Sequence, residues 1–315
     1  MFQLKNSTIL VVGGTGFIGI NLIKKFLKLG AKITCLSLKN KYNRLIHKNI
    51  KYTVCDYKNL KILKKKINKS FDYVVNLGGY IDHSKFFAGG KMVIDNHFSS
   101  TMNLLLSLKK KNLKRYVHVG TCDEYGKNIS PIEEKFREDP ITSYALAKLA
   151  SINLLIMLNK TENFPATALR LFLVYGPHQK NDRLIPQVIN GCLQKRKFPV
   201  SKGNQLRDFC YVDDVVDAII LSLTKKKALG KIFNVGSGKP VSVKFIINAI
   251  SKIIKQGKPL FSKIKLRKNE NLKLYPSINK ISRILGWKPK TNLNQGLVKT
   301  INYYKTIEQK RFHDR

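Results

Sequence analysis

Carboxylates are scarce in this chain of 315 residues: 19 Asp and Glu stand against 59 Lys and Arg, a formal net charge of +40. So large an excess raises the prospect of nucleic-acid binding. The lysines, however, run from end to end in short clusters at 64–66, 109–111 and 225–227. Arginine, the better reader of phosphates and bases, is the minority. Nucleic acid is therefore not expected as the main partner, whereas a general pull on anionic substrates is. Cysteine is also thin. Five residues (Cys35, Cys55, Cys122, Cys192 and Cys210), odd in number and without a CxxC pair, argue against a disulfide framework or a zinc site and suit reduced thiols. No apolar run approaches the roughly 18 residues that span a bilayer. The opening "MFQLKNSTILVV" lacks the charged-then-apolar order of a leader, so a cytoplasmic location is expected.

What is present is a regular alternation. "STILVV" (7–12), "AKITCLSL", "FDYVVNLG" (71–78), "KRYVHVGT" (114–121) and "ATALRLFLVYG" (166–176) read as buried strands. Helical patterns fill the gaps: "FIGINLIKKFLKLG" (17–30), which Gly30 should end, "NHFSSTMNLLLSLKK" and "SYALAKLASINLLIMLNK". Strand–helix alternation predicts βαβ units around a parallel sheet. Beyond about residue 177 the texture becomes less regular. The expectation is an α/β, Rossmann-type doubly wound parallel sheet over 1–165, with a smaller C-terminal α/β substrate-binding lobe over 166–315. Residues 205–240 are expected to return in part to the sheet.

"VVGGTGFIG" (11–19) sets Gly13, Gly16 and Gly19 between a strand and a helix. Glycine permits a tight turn, close approach of backbone to a pyrophosphate and close helix–strand packing, while the helix start offers free N–H groups. Thr15, Phe17 and Ile18 share this turn, which is expected to hold a dinucleotide.

"SYALAK" (143–148) places Tyr144 and Lys148 on one helix face. Spacing alone commits to nothing in so lysine-rich a chain, and Tyr57–Lys61 repeats it. Context decides. An N-terminal GxxGxxG, a Thr ending a later strand and then YxxxK resemble the extended short-chain dehydrogenase/reductases, and within them the NAD(P)-dependent nucleotide-sugar epimerase/dehydratase/reductase family. "RYVHVGTCDEYG" (115–126), "PITSYALAK" (140–148), "LRLFLVYGP" (169–177), "QLRDFCYVDDVVDAI" (205–219), "IFNVGSG" (232–238) and "ILGWKP" (284–289) resemble that family's blocks in the same order.

The resemblance implies Tyr144 as catalytic acid/base, Lys148 as its activator and Thr121 as the hydroxyl that polarises the substrate oxygen. A free tyrosine titrates near 10, so about one in a thousand is a phenolate at pH 7. A neighbouring ammonium and a cationic oxidised cofactor should lower that pKa, by roughly 3 units or about 4 kcal/mol. Family dehydratases carry an acid and a base in the two positions after the Thr. Here Cys122 and Asp123 fill them, a poor match that disfavours dehydration. Arg207 resembles the arginine that grips a nucleotide diphosphate, and Leu173 stands where many relatives have a substrate-contacting asparagine. Asp56 resembles the acidic residue beside the adenine, with a helix N-cap as the plainer reading.

The second strand ends without the carboxylate that usually holds an NAD ribose. Ser37, Leu38 and then Lys39, Lys41 and Arg44 follow, which leans towards NADP over NAD. The resulting expectation is hydride transfer at C4 of a nucleoside-diphosphate sugar, leaning to a 4-keto-sugar reductase, with an NAD-dependent 4-epimerase next and a 4,6-dehydratase third. No metal is called for, and relatives imply a homodimer. The rival from another class is a non-catalytic scaffold that binds RNA or protein.

Overall fold

The computed structural model describes residues 4–38, 47–266 and 270–313. Its first strand, β1 (Thr8–Val12), leads through the glycine turn into α1 (Phe17–Lys28) and then β2 (Lys32–Ser37) and β3 (Ile50–Val54). Helix α2 (Leu60–Lys66), β4 (Tyr73–Asn76), α3 (Gly90–Ile94), α4 (Ser100–Ser107) and β5 (Arg115–Thr121) follow. After them come α5 (Ser143–Glu162), β6 (Ala166–Leu171), β7 (Leu173–Tyr175), α6 (Leu184–Leu193), β8 (Lys197–Pro199), β9 (Leu206–Tyr211) and α7 (Val212–Thr224). The chain closes with β10 (Ile232–Val235), β11 (Pro240–Ser242), α8 (Val243–Ile254), β12 (Lys258–Leu260), β13 (Lys273–Leu274), α9 (Asn279–Leu285) and α10 (Leu293–His313).

Seven parallel strands form the main sheet in the order β10-β6-β5-β4-β1-β2-β3. Alternate side chains leave its two faces, as strand geometry requires. Val11, Val75, Val117 and Phe233 pack with Leu22 and Phe26 of α1 and Val215 and Ile219 of α7. Leu10, Val74, Tyr116 and Ala166 pack on the other side with Leu104 of α4 and Leu155 of α5. Both faces are covered, so the strands read as continuous apolar runs. Strand β10 joins this sheet, within the 205–240 stretch expected to return to it, and β6 (166–171) belongs to it too, so a boundary at 165 falls between neighbouring strands of one sheet.

The run "ATALRLFLVYG", expected as one strand, divides. Residues 166–171 stay in the main sheet, and after Phe172 the chain turns into β7, which pairs with β9 in a second sheet of order β11-β9-β13. That sheet and helices α6, α8 and α10 share a separate core around Tyr175, Phe209, Ile246 and Leu297. Asp214 clasps the C-terminal segment to α7: its carboxylate accepts the N–H of Lys290 at 2.8 Å and of Thr291 at 3.1 Å, and its carbonyl accepts Trp287 Nε1 at 3.0 Å. The expected helix over 96–110 is interrupted as well. A π turn at Asp95–Ser99 precedes α4, which ends at Ser107.

Candidate active site

The main sheet reverses its strand order between β4 and β1, and a cleft opens beyond the strands' C-terminal ends at such a point. Gly13 enters it with φ +76°, and a Cβ there would stand 3.0 Å from the carbonyl oxygen of Leu77. A Cβ on Gly19 would meet Gly14 Cα at 2.6 Å, so helix and strand touch backbone to backbone. Gly14, which the spacing did not single out, has the same need: its Cβ would lie 2.6 Å from Cys35 Sγ and 2.7 Å from Ile23 Cδ1. Gly16 caps α1 with extended backbone and no side-chain acceptor, and the first turn holds no acidic residue. Its N–H groups face the turn, ready for an anion. Thr15 is 9% exposed, while Phe17 and Ile18 start α1 and pack against the second core. A side-chain-free cradle at a helix start fits a dinucleotide's pyrophosphate.

A recess of about 60 Å³ continues the cleft, lined among others by Leu38, Asp56, Tyr57, Asn96 and Ser100. Asp56 Oδ1 accepts the N–H of Lys58 at 3.0 Å, whereas the N-cap of α2 is Asn59. Ser37 lies buried in the strand pairing one residue before the recess, and Lys39, Lys41 and Arg44 fall outside the described residues. Sequence reasoning missed Asn96 and the lining role of Tyr57. Tyr57 precedes α2 and does not share a helix face with Lys61, so the repeated spacing was accidental.

Thr121 ends β5, and Thr142 caps α5 by accepting the N–H of Ala145 at 3.1 Å, which fixes where Tyr144 and Lys148 emerge. The Thr121 side chain lies close enough to the Tyr144 hydroxyl to act on its protonation, while its own Oγ1 accepts the N–H of Asp123 at 3.2 Å. Lys148 Nζ donates to Val119 O at 3.0 Å and Gly78 O at 3.2 Å. All three side chains are buried below a tenth exposure. Burial lowers the Lys148 pKa to about 8, with Glu124 pulling it back up. The expected lowering of Tyr144 is not met in the chain by itself. Burial, followed by the charge of Asp123, raises its pKa, and the Thr121 side chain offsets this only in part. Desolvation is the largest of these effects.

His97, from the π turn, stacks edge-on to Tyr144 with ring centroids 5.2 Å apart. Its Nε2 lies 2.9 Å from Tyr80 O, and burial lowers its pKa to about 3. Gly79 leaves room for it, since a Cβ there would sit 2.7 Å from the imidazole.

A larger cleft, of about 590 Å³, is lined by Ile81, Asp82, His83, Asp182 and Arg183. Asp123 Oδ2 lies 3.2 Å from His83 Nε2. The two are forty residues apart, so no local pattern pointed to His83. Cys122 is buried and its thiol is pushed well above its usual pKa. Arg207 reaches this cluster from β9, close enough for Cys122 and Asp123 to act on it electrostatically. Its Nη2 pairs with Glu270 at 2.8 Å rather than with neighbouring Asp208, whose carboxylate accepts the N–H groups of Ser237 and Gly238. Leu173 packs against the second core. Among the described residues no group of three or more His, Cys, Asp or Glu could hold a metal, and no helix is long and apolar enough to cross a membrane.

Comparison with known proteins agrees with this geometry. The chain is 28% identical to the UDP-glucuronate 4-epimerase of Thermodesulfobacterium geofontis, across 94% of its own length and 95% of that protein's. It is 27% identical to the mouse dTDP-D-glucose 4,6-dehydratase, across 97% and 90%. The solved UDP-glucuronic acid 4-epimerase of Bacillus cereus, in complex with UDP-glucuronic acid and NAD, superposes with a TM-score of 0.86 at 25% identity, covering 95% of this chain and 99% of that one. The profile of the NAD dependent epimerase/dehydratase family matches residues 9–236, and the chain belongs to that family.

Proposed function

We propose that the protein is an NAD-dependent 4-epimerase of a nucleoside-diphosphate sugar. The observation that carries this reading is the gathering of buried Thr121, Tyr144 and Lys148 where β5 ends, with the Lys148 ammonium held on Val119 O. Relatives named as 4-epimerases at 25–28% identity over nearly the whole chain support it. The glycine cradle would hold the pyrophosphate, and Asp56 and Asn96 the adenosine end. Bound NAD supplies a hydride acceptor and a positive charge that favours the Tyr144 phenolate. Tyr144 then takes the proton of the sugar's C4 hydroxyl, and Thr121 donates a hydrogen bond to the developing carbonyl oxygen. After the sugar presents its other face, Tyr144 returns the proton. Arg207, with a planar guanidinium suited to paired oxygens, grips the diphosphate.

A second reading, a 4-keto-sugar reductase using NADPH, is favoured by one observation: Ser37 and Leu38, where β2 ends, present no carboxylate to a ribose 2′-hydroxyl. Dehydration is disfavoured by the buried Cys122 in the acid position. Pairing of two copies through the exposed Leu106 of α4 and Leu146 and Met157 of α5, in a cytoplasmic setting, completes the proposal.

The test is to denature the purified protein and identify the nucleotide released, then to follow UDP-glucose and UDP-glucuronate by NMR. Stoichiometric NAD and a mixture of C4 epimers are expected. An empty protein that takes up NADPH in preference to NADH would move the conclusion to the reductase. Neither cofactor bound nor taken up would leave the non-catalytic scaffold.

A further inference from the structure

Behind Thr121 lies a charged pair that the chemistry above does not use. Glu124 and Arg170 have fully buried side chains, with Arg170 Nε 2.6 Å from Glu124 Oε2. The other carboxylate oxygen, Oε1, accepts the main-chain N–H of Thr121 at 2.8 Å. Arg170 is fixed in turn: Nη2 pairs with Glu138 at 2.6 Å, and the guanidinium lies 4.5 Å from the centre of the Tyr125 ring. Gly120 leaves the space, because a Cβ there would collide with Glu124 Oε1. A buried ion pair is weak evidence for stability, since apolar side chains of like volume often do as well. Its placement points to another task.

We propose that the Glu124–Arg170 pair is a positioning element of the active site, holding Thr121 through its main chain and setting by charge the protonation balance of Lys148 and Tyr144. This rests on the reading of Tyr144 as the acid/base. The titratable groups facing Tyr144 and Lys148 are Cys122, Asp123 and Glu124 from the turn after β5, His118 from β5, His97 from the π turn, and His83 from the loop after β4. Both His97 and His118 are driven neutral by burial and by Lys148 itself. Glu124 is the group that raises the Lys148 pKa, and it also raises that of Tyr144. Although Arg170 balances it, the Glu124 carboxylate is the end of the pair that acts on this site, favouring the ammonium and, less strongly, restraining the phenolate. In a low-dielectric interior such a charge acts strongly.

The test titrates Tyr144 by its tyrosinate absorbance in the NAD-loaded protein, as the difference between each protein and its Y144F partner, with no sugar nucleotide present. In Glu124→Gln, and in E124Q/R170M where the single variant does not fold, the Tyr144 midpoint should fall by about one pH unit. Both limbs of the pH profile for cofactor reduction should move down with it. Glu124→Asp keeps the charge but shortens the reach to Thr121. It should leave the limbs in place and lower kcat about tenfold, with KM little changed. An unmoved Tyr144 midpoint, with activity falling only in step with the melting temperature, would overturn the proposal. A protein that turns over none of the sugars tried still answers through the tyrosinate titration, so failure of the epimerase reading stays separate.

Discussion

Lys148 Nζ donates to the main-chain oxygen of Val119 at 3.0 Å, tying helix α5 to strand β5 directly beneath the reacting hydroxyls. With Gly78 O taking a second proton, one of the three ammonium donors remains for the cleft. Lys148→Met removes the charge and leaves two buried carbonyls without this donor. Turnover is expected to fall by about 10³-fold or more, with a melting temperature several degrees lower. Assays of rate and thermal unfolding on the same preparation check both.

The depressed pKa of Lys148 has a sign that can be worked out. The folded chain releases this proton near pH 8, the unfolded chain near its ordinary 10.5. Between those values the unfolded state binds more protons, so this group makes stability rise with pH there. Over the same interval the rate should fall as the ammonium is lost. Lys148→Met lacks this titration, so its lower urea midpoint should fall further behind that of the wild type across that range as pH increases.

His97 works in the acid range. It is neutral in the folded chain down to about pH 3, whereas an unfolded histidine protonates near 6.5. As pH falls from 6.5 towards 3 the unfolded state gains a proton that the folded state refuses, and stability is lost at up to about 1.4 kcal/mol per unit. His97→Asn should flatten that acid limb in denaturant melts.

Tyr144→Phe keeps the ring packing and deletes the hydroxyl. Cofactor binding, measured by calorimetry, should persist while turnover falls by about 10³-fold, and Thr121→Ala should lower turnover by about 10²-fold. Should Tyr144→Phe retain more than a tenth of the rate, its assignment as acid/base is wrong.

Arg207→Lys replaces a planar fork with a point charge. KM for the nucleotide sugar is expected to rise about tenfold, with kcat nearly unchanged. A fall in kcat alone would place Arg207 at the reacting carbon instead of the diphosphate.

Much of this site was readable from the chain because its parts are local. The glycine turn spans two adjoining elements, β1 and α1, while the Thr at the end of β5 and the Tyr–Lys pair on α5 each sit within one, so short sequence patterns place them. Gly30 also stops α1 as expected, with φ +75°. The remainder depends on partners far apart in sequence. Glu124 meets Arg170 across 46 positions and His83 meets Asp123 across forty, and no spacing rule predicts such meetings. The break at Phe172 was hidden for another reason. Residues buried on both sides of a turn show the same unbroken apolar run as a single strand.

That break has a mechanical consequence. One residue, Phe172, separates a strand of the cofactor-side sheet from a strand of the substrate-side sheet, and the Asp214 clasp ties the far end of the chain back to α7. With so short a connection the two sheets cannot slide apart, and any opening between them has to be a rotation about Phe172 and its neighbours.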